Sequence, residues 1–576
     1  MKRNKHKKSL ENEPQKTQET PAGVWSNIFL KTWRPYIWFF LVISIIYFKS
    51  LFYNYTYLDD NVLIMDNFHF IRDLGNIGQA FFQDVFLSYS DAYYRPMLSI
   101  SLMLDAQLGG TSLFTYHVTN ILIHILTVCF LFVFLLKLNY QRGTAFIISL
   151  IFAVHPILSQ AVAWIPGRND SLMALFVLPA FIWFHNAVET KKWPAYILHF
   201  LFFTLALFTK ESALLMAIVF LTYLYIIKKE KIFSISSYIF YSGWAAIAVF
   251  WFLMRQAAFS SPIGLTLSII IKSWINNSSV AIQLLGKMLF PFNQSVLPII
   301  QDTTYLYGVI ALLFLSASLM FTSKKRFNYI IFGFSWLFFF IAPTFIWPQP
   351  DAVTFFLEHR IYIPIIGLFI ILLEIEPVKG LLNNRKLAVI LSIITIAVFS
   401  GLTIYHNDNF KDQVHFWKNA VDTSPHSPLA HRNLGAMYYL EGKYDNAEQE
   451  FKRSIHLNPY ESMAHNNLGL IYANQGKYRE AEEEYKKELT YNPNYDNAFF
   501  NMGLLYYKTG RIQEAAILWR KAIEINPNYV DAYQNLAVYY VNMNNLNEAR
   551  YYIGQVINRG GKVQPDILKK LQLSTQ

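Results

Sequence analysis

Cysteine and charge are both scarce in this sequence. Its 576 residues include one cysteine, Cys129, which lies inside an apolar run. A single cysteine excludes an internal disulfide framework and a cysteine-based metal cluster, so we interpret Cys129 as a packing residue. Charged residues make up 15% of the chain and aromatic residues 17%, whereas about a quarter of an average soluble domain is charged. This composition excludes an ordinary soluble protein for the chain as a whole.

The charge that is present is mostly positive, with a formal net charge of +11. Such an excess can indicate binding to nucleic acid. Much of it, however, lies in short loops between apolar runs and in the N-terminal stretch from Lys2 to Lys8. Membrane topology produces this distribution. We therefore expect membrane lipids around this part of the chain and no nucleic-acid partner.

Residues 35–406 contain apolar runs long enough to cross a hydrocarbon core, which takes roughly 20 helical residues. The first run is followed by Lys49 and aromatic residues, and not by a small-residue cleavage site. We expect it to stay as a span, because a cleavable signal peptide needs such a site. The sequence predicts an all-α, polytopic membrane domain with about eleven spans: 36–53, 114–136, 143–164, 171–187, 194–208, 212–227, 235–254, 302–321, 328–346, 361–376 and 388–405.

Sidedness follows from the basic loops. Placing the basic N-terminal tail, residues 1–34, in the cytoplasm puts every short basic loop on that side. An odd number of spans then carries the C-terminal part to the other side, together with segments 54–113 and 255–301, where mixed aromatic and polar sequence predicts short helices along the membrane surface. The short C-terminal array and the Lys-, Asn- and Ile-rich composition favour a bacterial plasma membrane, and an endoplasmic reticulum membrane stays open.

After residue 406 the composition is that of a soluble domain, and a pattern recurs every 34 residues. The pattern is the register of tetratricopeptide repeats, in which small residues allow two antiparallel helices to pack closely and proline separates the repeats. We predict an α-solenoid over 407–576, made of a half-repeat and about four repeats. The recurring positions are Asn433-Leu434-Gly435, Asn467-Leu468-Gly469, Asn501-Met502-Gly503 and Asn535-Leu536-Ala537, then Ala447, Ala481, Ala515 and Ala549, and Pro425, Pro459, Pro493 and Pro527.

One asparagine per repeat forms a ladder on the first helices, which line the concave face of such a solenoid. The four are Asn433, Asn467, Asn501 and Asn535. Side-chain amides both donate to and accept from a peptide backbone, so the ladder could bind an extended protein acceptor. The alternative is that these asparagines make hydrogen bonds between repeats.

Two adjacent carboxylates, Asp59 and Asp60, follow the first span. Two acids this close repel each other, so one can have a raised pKa and act as a base, or the pair can hold a divalent cation. The alternative interpretation is a helix cap or a solvated turn.

Four cations lie at the outer ends of spans, against the positive-inside trend: Arg95, Arg168, Lys210 and Arg360. Ionisable groups at membrane depth are costly and are functional candidates by default. Cations in this place suit a phosphate whose lipid tail lies in the bilayer. Singly, each has a structural alternative: Lys210 could pair with Glu211, and Arg360 could anchor its helix at the interface.

Three polar residues, His117, Asn120 and His124, share one face of the second span by their spacing of three and four. We expect them to make hydrogen bonds between helices and not to bind a metal, because no third acidic or histidine ligand follows at a set spacing.

Taken in order, these motifs resemble a known family, the transmembrane and tetratricopeptide-repeat O-mannosyltransferases, which are multispanning glycosyltransferases of the GT-C fold. The similarity covers nearly the whole chain after residue 35, although the repeat array is short for the family. The motifs are Asp59-Asp60, Tyr94-Arg95-Pro96, His155-Pro156, Gly167-Arg168-Asn169-Asp170, Lys210-Glu211 and Glu358-His359-Arg360-Ile361-Tyr362.

The resemblance implies inverting transfer of a sugar, mannose or another hexose, from a polyprenyl-phosphate carrier to a protein hydroxyl on the extracytoplasmic side. It implies Asp59 as the base, with Asp60 orienting it or the sugar, and leaves a divalent metal at this pair open. Arg360 and Arg168, with Arg95 and Lys210 behind them, are the expected phosphate partners, and His155, Glu211, Glu358 and His359 the supporting residues. A lipid-linked glycan transporter and a non-catalytic scaffold for envelope proteins are the alternatives.

Overall fold

The apolar runs of the first two thirds fold into helices. The computed structural model describes residues 29–87, 93–259, 266–322, 326–346, 356–563 and 565–571, so most of the basic tail, 1–34, lies outside the described residues. The helices of eight or more residues before the array are Arg34–Ile46, Pro96–Gly109, Leu113–Lys137, Arg142–Ala153, Arg168–Thr190, Trp193–Thr209, Ile235–Ala258, Leu267–Asn277, Val280–Leu289, Leu306–Met320, Phe327–Ile341, Pro364–Glu374, Glu376–Asn383 and Arg385–Asn407.

The chain is an integral membrane protein by the length and apolarity of these helices. Among the described residues, five segments are long and apolar enough to cross a membrane: Leu113–Lys137, Ile165–Thr190, Ile235–Ala258, Phe327–Phe345 and Arg385–Phe410. The predicted span 143–164 is a pair of helices, Arg142–Ala153 and Pro156–Ala163, bent by 55°. The five other predicted spans are shorter apolar helices of 10–17 residues. The number of eleven crossings therefore stays a prediction.

Close helix packing builds the core of this membrane domain. Leu113–Lys137 and Arg168–Thr190 meet through Phe134 and Phe181, whose ring centroids are 4.7 Å apart. Phe327–Ile341 crosses Pro364–Glu374 at two glycines, Gly333 and Gly367, and a Cβ atom on Gly333 would lie 2.8 Å from the Gly367 carbonyl oxygen. The last membrane helix, within Arg385–Phe410, is different, because only 11% of its most apolar stretch is buried by the rest of the protein. It makes few contacts along its length.

The predicted α-solenoid is confirmed. One helix, Gln413–Thr423, precedes four antiparallel pairs. In three pairs the recurring glycine packs under an aromatic ring of the second helix, and a Cβ atom there would lie 2.5–2.9 Å from the ring of Phe451, Tyr485 or Trp519. The pairs are Pro428–Leu440 with Tyr444–Leu457, Ala464–Asn474 with Tyr478–Tyr491, Asp496–Lys508 with Ile512–Ile525, and Val530–Asn542 with Leu546–Asn558, followed by Pro565–Lys570.

The array is docked on the membrane domain. Trp417 Nε1 donates to the Thr56 carbonyl oxygen at 3.0 Å, and Ser424 Oγ donates to the Leu297 carbonyl oxygen at 2.8 Å. An apolar cluster that includes Tyr53 and Phe416 continues across the junction. The array therefore lies on the face that carries the start of segment 54–113, which is the side that an odd number of spans would give.

Candidate active site

A cavity of about 620 Å³ opens beside this junction. Its walls come from the segment after the first helix and from the ends of several membrane helices. Part of the lining is apolar, including Met173, Trp251, Phe340 and Ile346. Seven charged side chains also line it: Asp59, Arg95, Asp170, Lys210, Glu211, Arg255 and Arg360. The cavity thus combines an apolar wall with a concentration of charge, and five of the seven are residues predicted from the sequence.

Asp59 lies in an unusual backbone conformation. Its φ is 71°, and that of Tyr57 is 57°, both in the left-handed region that non-glycine residues avoid. Among the described residues no hydrogen bond reaches the Asp59 carboxylate. Burial raises its pKa, and the nearby Arg95 guanidinium opposes that rise. The backbone therefore holds an unpartnered carboxylate in the cavity, and such conformations cost of order 1–3 kcal/mol each.

Asp60 explains how this conformation is held. Its Oδ2 accepts from the Thr56 amide at 2.6 Å and from Thr56 Oγ1 at 2.9 Å, and its Oδ1 accepts from the amides of Tyr57 and Asn61 at 2.9 Å each. Burial raises the pKa of Asp60 to about 6, although these four donors lower it. The helix-cap interpretation therefore holds for Asp60. It fixes the turn that carries Asp59 and does not line the cavity.

The same hydrogen bonds affect whether Asp59 and Asp60 could bind a divalent metal ion together. Both Asp60 oxygens point into the turn, so Asp59 alone of the two reaches the cavity. In the described part of the chain no group of three or more His, Cys, Asp or Glu side chains is placed to hold a metal ion. The structure thus provides no set of donors around Asp59 and Asp60.

Lys210 pairs with Asp170, and not with its neighbour Glu211 as one interpretation had it. Its Nζ lies 2.8 Å from both Asp170 oxygens. His359 Nε2 is 3.5 Å from the same carboxylate, and burial lowers the pKa of His359 well below its usual range. Glu211 is instead 3.8 Å from Arg95 and is half exposed. Lys210 therefore meets the cavity as part of a neutral pair.

Arg360 and Arg255 are the least paired cations of the cavity. Within the described residues neither guanidinium has an ion-pair partner, and Arg255 contacts only the face of the Phe259 ring, 4.9 Å from its centroid. Arg360 was predicted from the sequence, and Arg255 was missed. The signal was available, because Arg255 comes directly after the predicted span 235–254, at the end assigned to the same side as the four selected cations.

Arg168 is not a cavity residue, which corrects the expectation that it binds phosphate. Its side chain is fully buried, with Nη1 2.6 Å from Asp105 Oδ2. Nε donates to Asn120 Oδ1 at 2.5 Å and Nη2 to the Tyr116 carbonyl oxygen at 2.7 Å. The next two residues of the motif, Asn169 and Asp170, line the cavity instead. With its amide turned to satisfy both neighbours, Asn169 accepts from Arg95 at 3.1 Å.

Two other predicted supporting residues are structural. His155 is buried and contacts the Met288 carbonyl oxygen at 3.0 Å. Glu358 is fully buried and forms an ion pair with Lys287, and it accepts from the Ser295 amide at 3.0 Å. Both lie behind the cavity wall, so their support for the site is indirect.

The polar face of the second predicted span makes hydrogen bonds between elements, as expected for two of its three residues. Asn120 donates to the carbonyl oxygens of Val162 and Trp164 at 3.1 and 3.3 Å. His124 contacts Tyr362 Oη at 2.5 Å and the Ala153 carbonyl oxygen at 3.0 Å. His117 is buried against the Tyr53 ring.

The asparagine ladder is half-buried at all four positions. Asn501 donates to Asn466 of the preceding repeat at 2.9 Å, which is the alternative interpretation of the ladder. Asn433 and Asn467 accept from the adjacent side chains of Arg432 and Asn466. For Asn535 the described residues supply no side-chain hydrogen bond. The ladder is thus partly used within the array and partly free.

Known protein families match both the membrane domain and the repeat array. Residues 95–254 match the family model described as dolichyl-phosphate-mannose-protein mannosyltransferase. The resemblance drawn from the motifs is confirmed. Tetratricopeptide-repeat models match successive stretches of the array, namely 415–462, 450–483, 469–510, 497–529 and 518–551.

Curated relatives are named protein O-mannosyl-transferases. Protein O-mannosyl-transferase TMTC1 of Mus musculus is 34% identical over 138 residues, which cover 22% of this chain and 15% of that protein. Protein O-mannosyl-transferase TMTC3 of Homo sapiens is 32% identical over 145 residues, covering 24% of this chain and 16% of that protein. The matches thus span about a sixth of the relatives' length or less.

Solved structures match about a quarter of the chain. A crystal structure of MamA is 22% identical, with a TM-score of 0.24, and the match covers 26% of this chain and 86% of that one. The pilF structure of Pseudomonas aeruginosa is 21% identical, with a TM-score of 0.25, over 27% of this chain and 70% of that one. At these TM-scores neither likeness carries an argument about function.

Proposed function

We propose that this chain is a membrane glycosyltransferase that moves a hexose, mannose in the first instance, from a polyprenyl-phosphate carrier to Ser or Thr of a protein on the extracytoplasmic side. The observation that carries the proposal is the cavity. Within the described residues, the Asp59 carboxylate has no hydrogen bond, and it shares the cavity with two guanidinium groups that have no ion-pair partner there, those of Arg255 and Arg360. The relatives' names and the matching family model point to the same chemistry.

The chemistry needs one base and a sink for negative charge. The Asp59 carboxylate takes the proton of the acceptor hydroxyl as its oxygen attacks the anomeric carbon from the face opposite the phosphate. The bond from that carbon to the phosphate oxygen breaks, its electron pair leaves with the lipid phosphate, and the configuration inverts. A phosphate leaves without prior protonation, so the general acid of a glycosidase is dispensable.

The arginines stabilise the departing phosphate. Guanidinium groups bind phosphate through two parallel N–H donors, and such preorganised charge is worth most in a site that excludes water. Arg95 is less available, because it contacts Asn169 and Glu211, and Lys210 is held by Asp170. The apolar wall formed by Met173, Trp251, Phe340 and Ile346 suits the first units of a polyprenyl tail.

The acceptor is proposed to be a protein segment bound partly by the array. The array is docked beside the cavity, so a segment on its concave face lies on the same side as Asp59. Within the described residues, Asn433, Asn467 and Asn535 have no hydrogen bond to another repeat, and their amides are available to a peptide backbone.

Mass spectrometry of extracytoplasmic proteins tests the proposal, with hexose on Ser or Thr as the readout. Cells that contain the chain should carry the modification, and cells without it, or with the Asp59→Asn variant at equal expression, should lack it. Asp445→Asn is the matched control, because Asp445 is an exposed aspartate of the array. Unchanged modification in all strains would favour a scaffold or a transporter and would reject the enzyme.

A further inference from the structure

One helix of the array touches both sides of the cavity through short chains of hydrogen bonds. It is Gln413–Thr423, the single helix before the first repeat pair, which we call the brace helix. Its Trp417 is fully buried between the membrane domain and the first pair, in the cluster that also contains Leu434 and Met437. The brace helix is therefore packed on both neighbours at once.

The first chain leads from Trp417 to Asp59. Trp417 Nε1 donates to the Thr56 carbonyl oxygen at 3.0 Å. Trp164 Nε1 donates to Thr56 Oγ1 at 3.0 Å, and Thr56 donates through its amide and its hydroxyl to Asp60. Every polar group of Thr56 is thus engaged, three residues before Asp59.

Neighbouring contacts hold the same stretch. The Asn54 amide donates to the Lys411 carbonyl oxygen at 2.8 Å, and Tyr53 Oη donates to Asp408 Oδ1 at 2.9 Å. Phe416 stacks on Trp164 with ring centroids 6.4 Å apart. Tyr53, Asn54 and Thr56 are therefore each hydrogen-bonded to a residue between Asp408 and Trp417.

The second chain leads from the brace helix to Arg360. Asn419 Oδ1 accepts from the Val296 amide at 3.1 Å, and the Val296 carbonyl oxygen accepts from Gln160 Nε2 at 3.0 Å. Gln160 Oε1 in turn accepts from the His359 amide at 3.0 Å. This chain ends one residue before Arg360.

We infer that the brace helix sets the position of the Asp59 turn relative to Arg360, with Trp417 and Asn419 as positioning residues, so that the array is part of the active site. A left-handed conformation such as that of Asp59 persists only where its surroundings over-determine it. The turn supplies some of that constraint through Asp60, and the brace helix supplies the rest. Displacing the first repeat would release both the carboxylate and the arginine.

Hydrogen exchange of the full-length protein tests the inference without relying on activity. Trp417→Phe keeps an aromatic ring and removes the N–H donor, so exchange in residues 54–60 should rise about tenfold, as the loss of one buried hydrogen bond predicts. Trp519→Phe is the matched control, because Trp519 is a buried array tryptophan that donates to the Phe500 carbonyl oxygen. Unchanged exchange in Trp417→Phe, or an equal rise in the control, would overturn the inference.

Kinetics give the second readout, and this part rests on the proposed function. Trp417→Phe should lower kcat by about ten- to a hundredfold, because misplacing a reacting group by about 1 Å has effects of that size, and it should leave KM for the lipid donor unchanged. Asn419→Ala should mainly raise that KM. A lower kcat together with a higher KM for the lipid donor in both variants would indicate general unfolding. That result would contradict the positioning role of Trp417 and Asn419.

The two failures are distinguishable. If the wild-type protein transfers no sugar, the proposed function is wrong, and the exchange experiment still decides whether the brace helix holds the turn. If hydrogen exchange is unchanged in Trp417→Phe while Asp59→Asn abolishes transfer, the proposed enzymatic function is supported. The array then does not position the active-site residues.

Discussion

Charges in the repeat array and charges in the cavity are arranged in opposite ways. On the array, cations meet carboxylates about one helical turn away, as in Lys452 with Glu448 at 2.7 Å and Lys486 with Glu482 at 2.6 Å. In the cavity, Arg255 and Arg360 have no ion-pair partner within the described residues, and the Asp59 carboxylate has no hydrogen bond there. Many charges of the exposed region pair with a neighbour, whereas the enclosed region leaves three of its charges without a partner among the described residues.

This difference shows where a ligand is expected. Exposed ion pairs contribute about 0–1 kcal/mol, because water and salt screen them. An uncompensated charge in an enclosed site is costly, so its presence needs another reason. Binding of an anionic group and removal of a proton supply that reason for the arginines and for Asp59, whereas no such reason is needed on the array.

Neutralising Asp59 should have the largest effect. Asp59→Asn keeps the side-chain shape and removes the base, so transfer by the purified protein should fall by about 10²–10⁴-fold, the usual contribution of a general base. A radiolabelled lipid-linked hexose and a Ser/Thr peptide provide the assay. Activity within a factor of two of wild type would show that the free carboxylate is not the base.

Removing the unpaired arginines should come next. The double variant Arg255→Gln and Arg360→Gln takes away both guanidinium groups, and we expect at least a hundredfold loss in kcat/KM for the lipid donor, since each charge-assisted contact contributes about 1.5–3 kcal/mol. Lys452→Gln, which breaks an array pair, is the control. Equal kinetics of the double variant and the control would remove the distinction between the two regions.

The pH profile gives a sharper and smaller test. Asp59 must be ionised to act, and burial raises its pKa above the ordinary value, so the acid limb of kcat/KM should lie at higher pH than an ordinary aspartate would give. Arg95 opposes that rise. Arg95→Gln should therefore move the acid limb to higher pH, whereas Arg255→Gln, if Arg255 acts only on the phosphate, should leave it in place. A shift to lower pH in Arg95→Gln would contradict the assigned base.

Acceptor binding should depend on the free ladder positions. Replacing Asn433, Asn467 and Asn535 with Ala should raise KM for a peptide acceptor by about tenfold or more, because three hydrogen bonds of about 0.5–1.5 kcal/mol each are lost, without changing KM for the lipid donor. Asn501→Ala should mainly lower stability, because Asn501 bonds to Asn466. The opposite pattern would assign acceptor binding to Asn501.

The smallest effect is expected on the array surface. Lys486, Tyr506 and Arg511 lower the pKa of Glu482 to about 2, against the opposing effect of partial burial. Lys486→Ala should nevertheless reduce the free energy of unfolding by less than about 0.5 kcal/mol, because the pair is exposed. Thermal unfolding followed by tryptophan fluorescence is the measurement. A decrease of more than about 1 kcal/mol in the free energy of unfolding would show that exposed ion pairs stabilise the array more than this comparison between array and cavity assumes.

The sequence predicts best where a pattern is periodic. The 34-residue step predicts the helical pairs, and the structure explains its small residues, since Gly435 and its equivalents lie against aromatic rings. Apolar runs locate the membrane helices in the same way. Run length alone does not decide crossing, however, because several runs became helices of 10–17 residues and one broke into two.

The cavity was harder to predict because neighbours in sequence point in different directions. Successive residues of a helix are rotated by about 100°, so Arg168 turns inward to Asp105 while Asp170 turns to the cavity. No local signal marks Asp105 as the partner, since it lies 63 residues earlier. Asp59 was predictable because it lies a few residues after the first predicted span and belongs to the recognisable pair Asp59-Asp60.

Under the proposed function, the last membrane helix links the thickness of the bilayer to the rate of sugar transfer. Only 11% of its apolar window is covered by protein, so lipid matches most of its surface, and a helix longer than the local hydrocarbon layer responds by tilting. Its outer end runs into Asp408 and Phe410, directly before the brace helix. A change in tilt would therefore strain the hydrogen bonds of the brace helix to Thr56 and Val296. Lipids of different chain length should then alter turnover without changing any residue that lines the cavity.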